Sequence, residues 1–215
     1  MDFLSYRVNC GFMAMSIYLV RHGQTEWNTE GRKQGQSDSE LTGKGIAQAK
    51  ANAKMLKSLF GEVNHCTDLR LISSPLKRAR DSAKYIQSAL GLTAKSLEIA
   101  DEIMEIAYGN WEGLTNEDVD VRYPGQRKIR NQDRWNYIFD GGESYGMVYD
   151  RVTSWMSGLA ADVTNVVITH DMVSRLMRGH YLGLDNSTIL STAHPHDVVY
   201  LLENGIVTEY RCDQG

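Results

Sequence analysis

Cysteine is scarce in this chain. Cys10, Cys66 and Cys212 are the only three among 215 residues, odd in number and scattered, with no Cys-x-x-Cys pair. That pattern argues against a disulfide framework and points to reduced thiols in the cytoplasm. No stretch approaches the roughly 20 consecutive apolar residues that a membrane-crossing helix needs, so no membrane partner is expected. Positive charge is not in excess either. The formal net charge is −4, which argues against nucleic acid as a partner, because a phosphate-backbone binder needs a concentrated basic face. Internal repeats and low-complexity tracts are missing too. Residues 1–14 carry only Arg7 as a positive charge and are interrupted by Asn9, which makes a poor signal peptide. They read as a short N-terminal extension ahead of Met15, with no function assigned.

What remains suits one well-buried α/β domain over 15–215. Its most informative stretch is Ile17-Tyr18-Leu19-Val20 running straight into Arg21-His22-Gly23-Gln24-Thr25-Glu26-Trp27-Asn28. A short apolar run ending in polar residues reads as a buried parallel strand that delivers side chains to the sheet's carboxyl edge. Glycine after them would let a ligand approach the backbone closely. An arginine can fork phosphate oxygens and a neutral imidazole can attack phosphorus. The pattern recurs twice. Leu69–Ser73 reads as a strand after which Ser74 caps a helix with Pro75 at its first position, bringing Arg78 into the first turn, where free N–H groups favour an anion. Asn165–Thr169 reads as a strand ending at His170, ahead of an amphipathic stretch from Met172 to Leu182. Parallel strands would put all three junctions on one edge.

Elsewhere, Thr42 reads as the N-cap of a helix reaching about Phe60, with Ile46, Ala49, Ala53, Leu56 and Phe60 on one face. The helix after Ser74 should run to about Leu90 and stop at Gly91. Ile99–Met104 reads as a short extended segment, and Ser144 to about Ala161 as a helix. Val198–Leu202 and Ile206–Tyr210 flank Asn204-Gly205, a strong hairpin signal. The expected architecture is a three-layer α/β sandwich: a mostly parallel sheet, helices on both faces and an antiparallel edge. From about 106 to 141 the rhythm breaks into aromatic and charged residues, which reads as a cap or insertion over the sheet edge.

These stretches resemble the histidine phosphatase superfamily, also called the phosphoglycerate mutase-like family. The match runs through Leu19–Thr25 with Asn28, Gln34-Gly35 with Asp38, Leu41-Thr42, Ser74–Ala79, Glu105 ahead of Gly109–Gly113, Gly142–Ser144 and Val167–His170, in the family's order. The resemblance implies that Arg21, Arg78 and His170 surround a phosphoryl group that His22 accepts before water does. It implies further contacts from Asn28 and from Gln34 or Gly35. It makes Glu105 the general acid for the leaving oxygen and then the base for water, with Glu102, Glu112 and Glu143 as weaker candidates and Glu143 more suited to bracing a loop or an arginine.

His22 needs a free ring nitrogen facing phosphorus and the other nitrogen fixed as a donor. No metal and no other cofactor is expected. His194-Pro195-His196 brings two imidazoles close but lacks further ligands for a metal, and His196 suits the edge of the phosphate pocket. One departure stands out, because Asp171 occupies the position where the family usually has glycine. Its backbone N–H is expected to point at the phosphate while its carboxylate faces away and caps the helix. The expected activity is metal-independent hydrolysis of a small phosphomonoester, with inorganic phosphate as the released partner. A phosphoglycerate mutase and a non-catalytic phosphate-binding module stand as alternatives. Mutases of this kind carry Arg-His-Tyr-Gly where this chain has Ile106-Ala107-Tyr108-Gly109. The basic residues Arg122, Arg127, Lys128, Arg130 and Arg134 read as a solvated face or as a grip on an acidic substrate.

Overall fold

The structure is a computed structural model that describes residues 15–62, 68–160 and 162–212; the extension at 1–14, Cys10 and Cys66 lie outside them. Strand β1 (Ser16–Arg21) leads through the short helix α1 (Glu26–Thr29) to α2 (Gly43–Glu62). Then come β2 (Leu69–Ser73), α3 (Lys77–Ala89) and β3 (Leu97–Ile99). Two small helices, α4 (Asn116–Arg122) and α5 (Gln126–Gln132), precede α6 (Tyr145–Ser157) and β4 (Thr164–Thr169). The chain closes with α7 (Asp171–Leu182), α8 (Asn186–Ser191), β5 (Val198–Glu203) and β6 (Ile206–Arg211).

The strands form one sheet in the order β3-β2-β4-β1-β5-β6. The first four run parallel, while β5 is antiparallel to β1 and β6 to β5. Side chains alternate across a strand, so β1 feeds two cores. Ile17 and Leu19 pack with Val148 and Val152 of α6 and Val173 and Leu176 of α7. Tyr18 and Val20 pack with Ala53 and Leu56 of α2 and Ala79, Ala83 and Ile86 of α3. Sheet and two helical faces give the expected three layers and antiparallel edge. In the β5–β6 turn Asn204 (φ 52°) and Gly205 (φ 76°) both take the left-handed conformation that a two-residue hairpin of this twist demands.

Local expectations were met unevenly. Thr42 does cap α2, accepting the Gly45 N–H at 2.9 Å. Ser74 does not cap α3, which begins three residues later with Leu76 at the N-cap position and no side-chain cap bond of its own. The Ser74 hydroxyl is occupied instead by His170 Nε2 (2.8 Å) and the Leu76 N–H (3.3 Å). Asp38, distant in sequence, accepts the N–H groups of Lys77 (2.8 Å) and Arg78 (3.3 Å) and does the capping. Helix α6 starts after Ser144 as expected but stops at Ser157, because Gly158 ends it.

Segment 106–141 contains a 3-10 turn (Gly109–Trp111), α4 and α5. Its Trp111, Leu114, Val119 and Phe139 are buried in the same cluster as Ile17 and Leu19. Phe139 stands edge-on to the rings of Tyr108, Trp111 and Tyr137 at 4.9–5.2 Å. The segment therefore continues the core on the α6–α7 side.

Candidate active site

The three strand-to-helix junctions converge. His22 follows β1, Arg78 lies in the first turn of α3 after β2, and His170 is the N-cap of α7 after β4. The rings of His22 and His170 are 5.2 Å apart between centroids. Arg78 Nε reaches to 3.2 Å from His22 Nε2. The other His22 nitrogen, Nδ1, donates to the Gly23 carbonyl at 2.8 Å, which leaves Nε2 as the acceptor. Gly23 serves packing: a side chain there would meet the Gly45 carbonyl at 2.1 Å, so the glycine lets the junction lie against the start of α2.

The electrostatics follow from burial among cations. Burial pushes the His22 imidazolium pKa well down, and Arg78, His170 and Arg21 push it further. His170 is depressed in the same way by burial, Arg78 and Arg21. Both rings are neutral near pH 7. The Ser74 hydroxyl accepts from the Leu76 N–H and has its own proton to give to His170 Nε2, an arrangement that places the His170 N–H on Nδ1. That Nδ1 is buried without a protein partner, and so is Arg21 Nε.

Arg78 is 1 % exposed. Its guanidinium donates to the carbonyls of Gly35 (2.6 Å) and Ser37 (2.6 Å) and to Asp38 Oδ1 (2.8 Å). Gly35 thus joins the site through its backbone, in a left-handed conformation (φ 57°) where a side chain would run into the Glu112 carboxylate at 2.1 Å. Glu112 braces this loop by accepting the N–H groups of Gln36, Ser37 and Tyr108 and the Ser37 hydroxyl. Gln34 is buried, but its amide donates to Thr25 Oγ1 at 2.7 Å. The Asn28 side-chain oxygen Oδ1 accepts from the Thr25 N–H and hydroxyl and closes the α1 capping box. These two side chains hold the turn after His22, and no bond joins either of them to His22, Arg78 or His170.

Glu105 is nearly buried, accepting the N–H groups of Ile106 (3.0 Å) and Met172 (3.4 Å). Burial, then the charge of Asp171, raise its pKa. Glu143 takes the bracing role expected of it, forking Arg151 (2.8 and 3.0 Å) and accepting the Ala107 N–H. Asp171 is not the helix cap. His170 is, and Asp171 is the first residue inside α7. The carboxylate turns toward Arg175 (3.0 Å), the His194 N–H (2.8 Å) and Arg21 (3.9 Å). Burial works to raise its pKa, but Arg21 and Arg175 hold it below the ordinary carboxylate range.

Two histidines extend the site. His196 Nδ1 lies 2.6 Å from the His22 carbonyl, with its ring 5.6 Å from that of His22. His194 is fully buried between Ser174 Oγ and the Val198 carbonyl, and its own carbonyl accepts Arg21 Nη1 at 2.7 Å. No cluster of three or more His, Cys, Asp or Glu suited to a metal ion occurs among the described residues, nor is any helix there long and apolar enough to cross a membrane. The roles of Asp38, Ser74 and Glu112 escaped the sequence reading, which had their motifs but not their long-range partners. In the segment 106–141, Arg127 pairs with Asp120 and Arg130 donates to the Tyr145 hydroxyl.

Residues 17–205 match the model of the histidine phosphatase superfamily, branch 1. Phosphoserine phosphatase 1 of Hydrogenobacter thermophilus is 34% identical over 182 residues, which cover 82% of this chain and 81% of that one. Fructose-2,6-bisphosphatase of Saccharomyces cerevisiae is 31% identical over 168 residues, 78% of this chain but only 34% of its own length. The chain thus spans about a third of that relative. The mycobacterial glucosyl-3-phosphoglycerate phosphatase, solved with VO3, superposes with a TM-score of 0.69 at 27% identity, covering 86% of this chain and 90% of that one. The convergence of His22, Arg78 and His170 on one sheet edge and these likenesses agree: the chain belongs to branch 1 of the histidine phosphatase superfamily and is a phosphatase of that superfamily.

Proposed function

We propose that this protein hydrolyses a small phosphomonoester in two steps, through a phosphohistidine on His22. The observation that carries the reading is the His22 ring, pinned by Nδ1 to the Gly23 carbonyl with Nε2 facing Arg78. A neutral imidazole held this way has its lone pair set toward an incoming phosphorus. On substrate binding the Arg78 Nε–H exchanges its acceptor, giving up its hydrogen bond to His22 Nε2 for one to a phosphate oxygen. Arg21 Nε and His170 Nδ1, both without protein partners, donate to the remaining oxygens. Charge developing on the equatorial oxygens then meets donors already in place, which is where most of the acceleration arises.

Glu105 supplies the proton. Its raised pKa keeps a carboxylic acid available to the leaving alkoxide, which departs as the alcohol. The resulting carboxylate takes a proton from the water that cleaves the phosphohistidine, releasing inorganic phosphate. Arginines provide the positive charge, so no metal is required. Asn28 and Gln34 enter as supports of the His22 turn and Gly35 as the carbonyl that aims Arg78. The domain is read as 15–215, with 106–141 as the cap that selects the leaving group, and a cytoplasmic setting fits the sparse cysteines. The names of the relatives, a phosphoserine phosphatase and a glucosyl-3-phosphoglycerate phosphatase among them, support small phosphorylated metabolites as the substrate class.

The test is phosphate release in EDTA from a panel of phosphomonoesters, 3-phosphoglycerate included, by the wild type and His22→Ala. Turnover in EDTA that falls by at least about a thousandfold in the variant is expected, as for loss of a nucleophile, together with an acid-labile phosphoryl label on the wild type only. Isomerisation of phosphoglycerate without net release would establish a mutase instead. Phosphate binding with no turnover of any compound would make the protein a binding module.

A further inference from the structure

We propose that Asp171 is a positioning residue of the phosphate site: its carboxylate locks Arg21 and the 190–194 segment into one unit, aiming Arg21 at the phosphate, and sets a fixed negative charge beside Glu105. The inference rests on the phosphohistidine reading of the site and adds to it a role for the residue at 171.

The geometry is a double grip on one residue. Arg21 Nη1 donates to the His194 carbonyl at 2.7 Å, and Asp171 Oδ1 accepts the His194 N–H at 2.8 Å. The same Oδ1 lies 3.9 Å from Arg21 Nη1. The second carboxylate oxygen takes Arg175 Nη1 at 3.0 Å, and Arg175 Nη2 ties on to the Leu190 carbonyl at 2.5 Å. One end of the Arg21 guanidinium is thereby fixed, while its buried Nε has no protein partner and is the edge left for an anion. A carboxylate next to His170 would ordinarily repel a phosphate dianion. Here two guanidinium groups offset it, and its oxygens are held by Arg175, the His194 N–H and Arg21.

The second effect falls on Glu105, whose Oε2 accepts the N–H of Met172, the residue that follows Asp171, at 3.4 Å. Charged and titratable groups face it from every neighbouring element: Arg21 of β1, Arg78 of α3, Tyr108 of the cap and Asp171 of α7, with Arg151 of α6 on its backbone carbonyl. The arginines favour the carboxylate. Burial and Asp171 favour the acid, and of these groups only Asp171 carries a negative charge near pH 7. Removing it should make Glu105 more acidic and withdraw the general acid at lower pH.

The experiment measures inorganic phosphate affinity and the pH profile of kcat for Asp171→Ala, Asp171→Asn, Arg21→Ala and the Arg21→Ala/Asp171→Ala double variant. Phosphate affinity should fall about fivefold or more in Asp171→Ala, the size of a modest coupling between neighbouring groups. It should fall no further in the double variant than in Arg21→Ala alone, because Asp171 acts through Arg21. Asp171→Asn keeps an oxygen for the His194 N–H, so it should retain most of the affinity while the alkaline limb of kcat moves to lower pH. Unchanged or tighter phosphate binding in Asp171→Ala overturns the proposal, as does an equal loss with and without Arg21. Should Asp171→Ala not fold, Asp171→Asn decides alone, and an unmoved alkaline limb rejects the proposal. Phosphate binding needs no turnover, so these affinities remain readable even if His22→Ala rejects the phosphohistidine step.

Discussion

Four acceptors surround the Arg78 guanidinium: His22 Nε2, the Gly35 and Ser37 carbonyls and Asp38. Two of the four are backbone, so the conformation of one glycine controls where a buried cation points. Gly35→Ala should show this. The new methyl group would meet the Glu112 carboxylate in a left-handed conformation, costing at least about 1–2 kcal/mol from the backbone alone. It should also lower kcat/KM by about tenfold or more, since misplacing a positioning group by about 1 Å costs on the order of a hundredfold. Gly31→Ala is the control: it shares the positive φ but has open space around it, so it should lose stability and keep activity. The same residues set the pH response. His22 ionises well below 6.5, so the nucleophile is unprotonated far into acid. The Glu105 pKa is raised by burial and then by Asp171, so its acid form persists above the ordinary carboxylate range and is lost as pH rises through the raised pKa. The pH profile of kcat/KM should therefore fall on its alkaline side, with that limb removed in Glu105→Gln together with most of the activity.

Helix α3 carries a comparable lesson about elements. Ser74-Pro75 has the composition of a helix start, yet the helix begins at Lys77 and is capped by Asp38. Asp38 binds two N–H groups of the first turn and the Arg78 side chain together. Asp38→Ala should cost about 3 kcal/mol, combining a lost cap of ~1 kcal/mol with a buried guanidinium left short of its counter-charge. The figure stays near the low end because a quarter of the Asp38 side chain remains in water. Urea unfolding checks it, and Asp38→Asn should recover part of the cap but not the ion pair. What was legible in the sequence was local: apolar runs that end in Arg or His, the period of α2, and the Asn204-Gly205 turn. What was not legible was held across the fold. Asp38 reaches α3 over 39 residues, Glu112 reaches Ser37 over 75, and Ser74 reaches His170 over 96. Such contacts leave no periodic trace. Ser74 misled for that reason: its hydroxyl suits a cap, but the fold spends it on a histidine whose junction lies far along the chain. The first-turn position of Asp171 hid its partners in the same way, because a good capping residue carries no mark of two arginines waiting beside it.

Taken as a whole, the molecule stores a cluster of neutral histidines beside its cations. His22 and His170 are depressed well below 6.5, His194 lies at about 3 and His196 at about 4, with burial the first cause in each. An unfolded chain would protonate all of them near 6.5, so below that pH the unfolded state binds more protons and stability falls. Glu105 opposes this, since its raised pKa makes the folded state hold a proton that the unfolded chain releases above about 4.5. The carboxylate of Asp171, held low, contributes stability that disappears only at still lower pH. Unfolding free energy measured in urea should therefore decline steeply from pH 6.5 toward 5. At pH 5 the slope should lie between about three and four protons, the four histidines less the part of a proton that Glu105 returns, each worth about 1.4 kcal/mol per pH unit. A slope of one proton or fewer would mean that the histidines take up protons in the folded state, contrary to the depression of His22 and His170 by burial and the neighbouring cations. Inorganic phosphate should shift the acid midpoint downward, because a ligand that binds only the folded state stabilises it by mass action. Acid sensitivity and activation of the nucleophile thus share one origin: the burial that keeps His22 neutral for chemistry, reinforced by the neighbouring cations, also makes protonating the folded site unfavourable.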